Sequence, residues 1–74
     1  MNAENVIHRN CIIDQTALAI AMKQQEMTNR ELAEKTGMSY QQICRYLNQR
    51  RMRWTSIKKL ADALGHDVDD FIIK

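Results

Sequence analysis

Proline is absent from the sequence, glycine occurs twice, and aromatic residues make up only 5% of the chain. The sequence also has no low-complexity segment and no dipeptide such as Asn-Gly that marks a tight β-hairpin. Without these turn signals, a protein built from many short strands is not expected. What repeats instead is a capping residue followed by apolar residues at helical spacing, which predicts an all-α fold.

Long apolar runs are missing as well. No segment is long enough to cross a bilayer, and the first residues, MNAENVIHRNCIID, lack the continuous apolar stretch of a secretory signal. Cys11 and Cys44 do not have the spacing of a metal site or a redox motif. We therefore expect two free thiols in a reducing cytoplasm and no membrane partner.

Catalytic and ligand-binding constellations are not found either. His8 and His66 have no cysteine or acidic partner at ligand spacing, so neither a metal nor a cofactor is expected. A chain of 74 residues has room for one modest core and little space for a cleft. The sequence therefore predicts neither an enzyme nor a small-molecule site.

Positive charge is concentrated in one stretch, although the net charge is only +2. Residues 45–59 contain no acid and carry six cations, namely Arg45, Arg50, Arg51, Arg53, Lys58 and Lys59. One end of the fold should be electropositive, which favours a polyanionic partner.

Two capping signals stand close together near the middle of the chain. Thr28 and Glu31 fit a capping box, which predicts a helix beginning at Asn29. Gly37 can supply the positive φ that ends this helix, and Ser39 with the following Gln42 offers a second box two residues later. Together they predict a tight helix-turn-helix.

Three further helices are predicted from periodicity and caps. One covers about residues 14–25, one covers Trp54–Leu64 and ends at Gly65, and a short one follows the N-cap Asp67. The expected architecture is a compact five-helix bundle, with a domain at residues 14–74 and an N-terminal arm or extension at residues 1–13.

The arm is apolar enough to have a role of its own. Its residues Val6, Ile7, Arg9, Ile12 and Ile13 are compatible with three roles. It could pair across a dimer, extend the first helix, or wrap DNA through Arg9, and the sequence does not rank these.

The second helix of the motif, within residues 39–48, has one polar face. If Ile43, Tyr46 and Leu47 point inward, the opposite face spans roughly 140° at about 100° per residue. That face consists of Tyr40, Gln41, Cys44, Arg45 and Asn48. Glutamine and asparagine can pair with adenine, and arginine with guanine, in the DNA major groove. This helix is therefore predicted to read double-stranded DNA.

Two segments, MTNRELAEKTGMSYQQICRYLN and IKKLADALGHDVDDFI, resemble the lambda-repressor-like (Xre/Cro) helix-turn-helix family. The resemblance covers about residues 14–73. It implies base contacts from Tyr40, Gln41 and Arg45, with Ser39 and Gln42 beside them, and a phosphate contact from Asn29. We also expect Gln42 to contact phosphate. Cys44 and Asn48 complete the base-reading face.

The resemblance also implies a function, a transcriptional repressor of bacterial or phage origin that binds a near-palindromic operator as a homodimer. Arg50, Arg51 and Arg53 follow the reading helix and are expected to bind phosphates. Two alternatives remain open: an antitoxin-like autoregulator, and a protein-interaction module that kept the fold without binding DNA.

The chain departs from the family pattern at three places. Asn29 stands where relatives usually have glutamine, and Gln49 follows Asn48 where an Asn-Gly pair is frequent. Met22 and Leu47 occupy the positions of an ion pair common in the family. We expect these two apolar side chains to touch each other, which would avoid desolvating a charge pair.

Overall fold

The computed structural model of the protein describes residues 10–73. In chain order, these residues form β1 (Asn10–Ile13), α1 (Gln15–Gln24), α2 (Asn29–Thr36), α3 (Tyr40–Asn48), β2 (Arg51–Arg53), α4 (Trp54–Leu64), a 3₁₀ helix (Val68–Phe71) and β3 (Ile72–Ile73). The fold is mostly helical, as expected. The five-helix bundle is wrong, because the described residues form four α-helices and a small sheet, and the predicted fifth helix is a single 3₁₀ turn.

The capping signals place the helix-turn-helix correctly. Both halves of the capping box between Thr28 and Glu31 are formed, and α2 begins at Asn29. Gly37 ends α2 with φ 75°, in the left-handed region. Ser39 then caps α3 by accepting a hydrogen bond from the Gln42 backbone N–H. The turn is therefore as short as the two adjacent signals predicted.

Two predicted caps differ in detail. The Gln42 side chain does not complete a second capping box. Its amide nitrogen donates to the Tyr46 hydroxyl at 3.0 Å. Asp67 does stand at the start of the 3₁₀ helix, but its side chain makes no capping hydrogen bond. The backbone alone closes that turn, with the Asp70 N–H donating to the Asp67 carbonyl.

The three-stranded sheet was not predicted. β1 is its middle strand and pairs antiparallel with β2 on one side and β3 on the other. Cys11 and Ile13 point into the core. Residues 10–13 are therefore a strand and not an extension of the first helix. Residues 1–9, with Val6, Ile7, His8 and Arg9, lie outside the described residues.

The core lies between the four α-helices, the 3₁₀ helix and the inner face of the sheet. The side chains with least exposure are Leu18, Leu32, Ile43, Ile57, Leu60 and Phe71. The buried residues of α4 recur at helical spacing and are Ile57, Leu60, Ala61 and Leu64. In α2, Leu32 and Ala33 are buried. Trp54 is half-buried and packs against this core. The apolar periodicity thus identified the core face of each helix.

Helix α1 is held at both ends by glutamine side chains. At its start, the Gln15 amide nitrogen donates to the Gln49 carbonyl at 2.6 Å, just beyond α3. Just after its end, the Gln25 amide nitrogen donates at 2.6 Å to the carbonyl of Leu64, which is the last residue of α4. These bonds satisfy carbonyls that a helix terminus leaves without a partner in the helix.

Met22 is buried, and Leu47 is half-buried and packs against the same core. Neither side chain is fully exposed to solvent, which agrees with an apolar pair at these positions. Direct contact between the two stays a prediction.

Packing of β1 can be tested with two isoleucines of different exposure. Ile13 is 2% exposed, whereas Ile20 on α1 is 51% exposed. Ile13→Ala should lower the free energy of unfolding by about 2–5 kcal/mol, because it leaves a cavity in the core. Ile20→Ala should change it by less than about 0.5 kcal/mol. Denaturant titration measures both, and equal losses would contradict the packing of β1.

Candidate nucleic-acid interface

The orientation of α3 follows from what its inner face buries. Ile43 is fully buried, and Tyr46 and Leu47 pack against the core from either side of it. Helices α2 and α3 contact each other directly, and the small, buried Ala33 of α2 permits a close approach. The opposite face of α3 must then point to solvent.

Gln41 and Arg45 are the two most available polar side chains on that outer face. Both are exposed and lie one helical turn apart. Among residues 10–73, neither makes a side-chain hydrogen bond or an ion pair. Their donors and acceptors can therefore engage a ligand without breaking a contact inside the protein.

Tyr40 and Cys44 form a second part of the outer face, nearer to α2. Tyr40 is 50% exposed, and Cys44 is half-buried. The pKa of Tyr40 is raised above its usual value, chiefly by a hydrogen bond with the Cys44 thiol, and the nearby Arg30 guanidinium opposes this shift. The phenol therefore remains protonated at neutral pH and keeps its donor.

Asn29 reaches the same cluster from the first turn of α2. Its amide nitrogen donates to the Cys44 sulfur at 3.8 Å. This contact joins the start of α2 to the middle of α3. Asn29 is half-buried, so the residue expected to bind phosphate also has a partner within the protein.

Other side chains predicted to contact DNA also have internal partners. Ser39 caps α3, and Gln42 donates to the Tyr46 hydroxyl. The Asn48 amide nitrogen donates to the Cys44 carbonyl at 2.8 Å, one turn back along the helix. All three remain at the surface of α3, but their polar groups are partly used by the fold.

Arg30 was missed in the sequence analysis. It is exposed in the first turn of α2, and its guanidinium carbon lies 5.8 Å from the centroid of the Tyr40 ring. The signal for it was present, because Arg30 directly follows Asn29, which was already expected to contact phosphate. The structure brings Arg30 to the start of the predicted reading helix.

Two of the three arginines that follow α3 lie on β2, a strand that was not predicted. Arg51 and Arg53 are exposed, and Met52 between them is buried, as strand alternation requires. Arg50 is exposed just before the strand, and its carbonyl accepts a hydrogen bond from the Ile13 N–H at 2.9 Å. The sheet therefore fixes the backbone that carries these cations.

The positive charges of the arginines on α3 and β2 are not paired with acidic side chains among residues 10–73. Among residues 10–73, Lys58 forms an ion pair with Asp62 at 2.7 Å, and the His66 ring nitrogen Nδ1 lies 3.3 Å from a carboxylate oxygen of Asp70. Arg45, Arg51 and Arg53 take part in neither. An exposed, unpaired set of arginines suits contact with an anionic polymer.

Residues 10–73 contain neither a candidate metal site nor a candidate membrane span. No group of histidine, cysteine, aspartate or glutamate side chains in this part of the chain is arranged to hold a metal ion. No helix within it is long and apolar enough to span a membrane. His66 is half-buried and stacks obliquely against Phe71 at 5.3 Å.

A short helix-turn-helix with an exposed polar face on its second helix and unpaired cations beside it defines a DNA-binding domain. The family model of the Cro/C1-type HTH DNA-binding domain matches residues 17–73. The chain belongs to this family, which confirms the resemblance found in its sequence. No curated protein and no solved structure matches the chain significantly.

The phosphate role of β2 can be tested by salt dependence. Arg51→Ala should reduce the slope of log K against log salt on any duplex by about 0.9, because one phosphate contact and its released counterion are lost. Lys58→Ala is the matched control, since the Lys58 charge is already paired with Asp62. Binding titrations at several salt concentrations measure both slopes. Equal slopes for Arg51→Ala and wild type would remove Arg51 from the phosphate contacts.

Proposed function

We propose that this protein is a sequence-specific transcriptional regulator that represses by occupying an operator through α3. The supporting observation is that Gln41 and Arg45 lie one turn apart on the outer face of α3, exposed and without partners among the described residues. The family establishes DNA binding. The reading residues and the outcome for transcription are the proposal.

The proposed mechanism divides the contacts into two kinds. Gln41 and Arg45 each offer paired hydrogen-bonding groups, which match adenine and guanine edges in the major groove. Arg50, Arg51 and Arg53 bind phosphates, which positions the protein without selecting a sequence. Occupancy of a promoter is then sufficient for repression, so the protein acts by binding rather than as an enzyme.

A homodimer on a near-palindromic operator completes the proposal. One short helix contacts few base pairs, so a single copy has limited specificity. Two copies on half-sites one helical turn apart multiply the number of base pairs read. Such a regulator would act in the cytoplasm, where the DNA of a bacterium or phage is found.

Selection of bound duplexes from a random DNA pool tests the proposal directly. Enrichment of one sequence with internal two-fold symmetry is the expected result, and the size of the complex on that duplex reports the number of copies bound. Failure to enrich any sequence would favour a module that binds proteins instead. A toxin that co-purifies would point to an antitoxin-like autoregulator.

The base-reading role of Arg45 has its own test. Arg45→Ala should weaken binding to the selected duplex by about 1–3 kcal/mol and binding to a scrambled duplex much less, because non-specific affinity comes mainly from phosphates. The change should preserve helicity, since an exposed helix position accepts alanine readily.

Binding to both duplexes at one salt concentration, with circular dichroism in parallel, gives the comparison for Arg45→Ala. Equal losses on both duplexes would reduce Arg45 to a phosphate contact. No loss on either would contradict the assignment of α3 as the reading helix.

A further inference from the structure

We propose that Arg30 of α2 is a DNA-contacting residue that also positions Tyr40, so that the two side chains act as one specificity-determining pair. This inference rests on the proposed function, because it adds a residue to the reading surface of α3.

The first support is the contact between the two side chains. The guanidinium carbon of Arg30 lies 5.8 Å from the centroid of the Tyr40 ring. This is within the distance at which a cation is attracted to an aromatic face. Tyr40 is the first residue of α3, and Arg30 is in the first turn of α2. The contact therefore joins the starts of the two helices.

The second support is that Tyr40 is also held from its other side. Cys44 follows one turn further along α3, and hydrogen bonding to its thiol is the main cause that raises the pKa of Tyr40. Cys44 in turn accepts a hydrogen bond from the Asn29 amide at 3.8 Å. Arg30 over the ring and Cys44 near the hydroxyl both favour this orientation of Tyr40. A side chain ordered before binding loses less entropy when it contacts DNA.

The third support is that the Arg30 charge is not neutralised by a carboxylate. The adjacent Glu31 accepts from the backbone N–H and the hydroxyl of Thr28. Glu34 lies one turn away from Arg30 on α2, but the two do not form an ion pair among residues 10–73. The guanidinium therefore retains its donors for a phosphate, which it can bind in a bidentate manner.

The chemistry of the pair suggests a division of roles. Arg30 would bind a backbone phosphate while keeping the Tyr40 ring against its guanidinium. Tyr40 would then contact the base pair nearest to that phosphate with its ring and its protonated hydroxyl. Arginine is suited to this dual role because its planar guanidinium stacks and donates at the same time.

The test uses the full chain and the duplex that wild-type protein enriches from a random pool, with a scrambled duplex for comparison. Arg30→Ala should weaken binding to the selected duplex about tenfold, the lower range for a hydrogen bond to a charged group. Lys35→Ala is the matched control, since Lys35 is an exposed cation at the far end of α2. It should change binding to the two duplexes equally.

A double-mutant cycle with Tyr40→Ala tests the pairing. The combined variant should retain about two- to fivefold more affinity for the selected duplex than independent effects would give, as expected for an exposed cation–π pair.

A new selection with Arg30→Ala should show relaxed preference at one base pair. Arg30→Lys should restore binding to the scrambled duplex but not that preference, because lysine keeps the charge without the planar stack.

One readout requires no DNA. The Arg30 charge lowers the pKa of Tyr40, in opposition to the Cys44 hydrogen bond. Arg30→Ala should therefore raise the Tyr40 pKa further, whereas Lys35→Ala should leave it unchanged. Titration of the Tyr40 ring followed by NMR measures this shift, which a general loss of fold would not produce selectively.

Three results would overturn the inference. Equal effects of Arg30→Ala and Lys35→Ala on both duplexes would make Arg30 an ordinary surface charge, and full activity of Arg30→Lys would remove the stacking role. These first two results leave the proposed function intact. If wild-type protein enriches no duplex, the proposed function fails first and the inference fails with it.

Discussion

The left-handed turn at Gly37 is the constraint on which the orientation of α3 depends. Gly37 has φ 75° and its N–H donates to the Ala33 carbonyl, so α2 ends there and α3 can begin at Tyr40. A residue with a Cβ would be strained at this φ by roughly 1–2 kcal/mol, even though the space around Gly37 is open. With so short a connection, burial of Leu32 and Ile43 sets how α3 lies against α2. The outer face of α3 follows from that packing.

The sheet fixes the position of the arginines on β2, as the turn at Gly37 fixes the position of α3. β1 is paired on both sides, so it links the segment before α1 to the segment after α3 and to the end of the described chain. Because Met52 is buried opposite Cys11, Arg51 and Arg53 on either side of it must face outward. An ordered strand holds these charges in place more firmly than a free loop would, which lowers the entropy lost on binding phosphate.

The helices could be predicted because their signals are local, whereas the strands could not. The capping box at Thr28 marks the start of α2, and Gly37 and Gly65 mark the ends of α2 and α4. Each signal lies within a few residues of the helix terminus, and the structure has all three. β1 and β3 are very short, and their pairing joins residues far apart in the chain. An apolar run as short as NCII has no period that separates a strand from an extension of the next helix. Such strands are specified by their partners rather than by their own sequence.

For the candidate site, the sequence predicted which face of α3 is outward but not which side chains on it are available. A polar group that already has a partner must break that bond before it can contact a base, and this lowers the net gain. Asn48 and Cys44 both have such partners within the protein, whereas Gln41 and Arg45 have none among the described residues. Under the proposed function, specificity should therefore depend on Gln41 and Arg45 together with the Arg30–Tyr40 pair, whereas Asn48 and Cys44 order the surface around them.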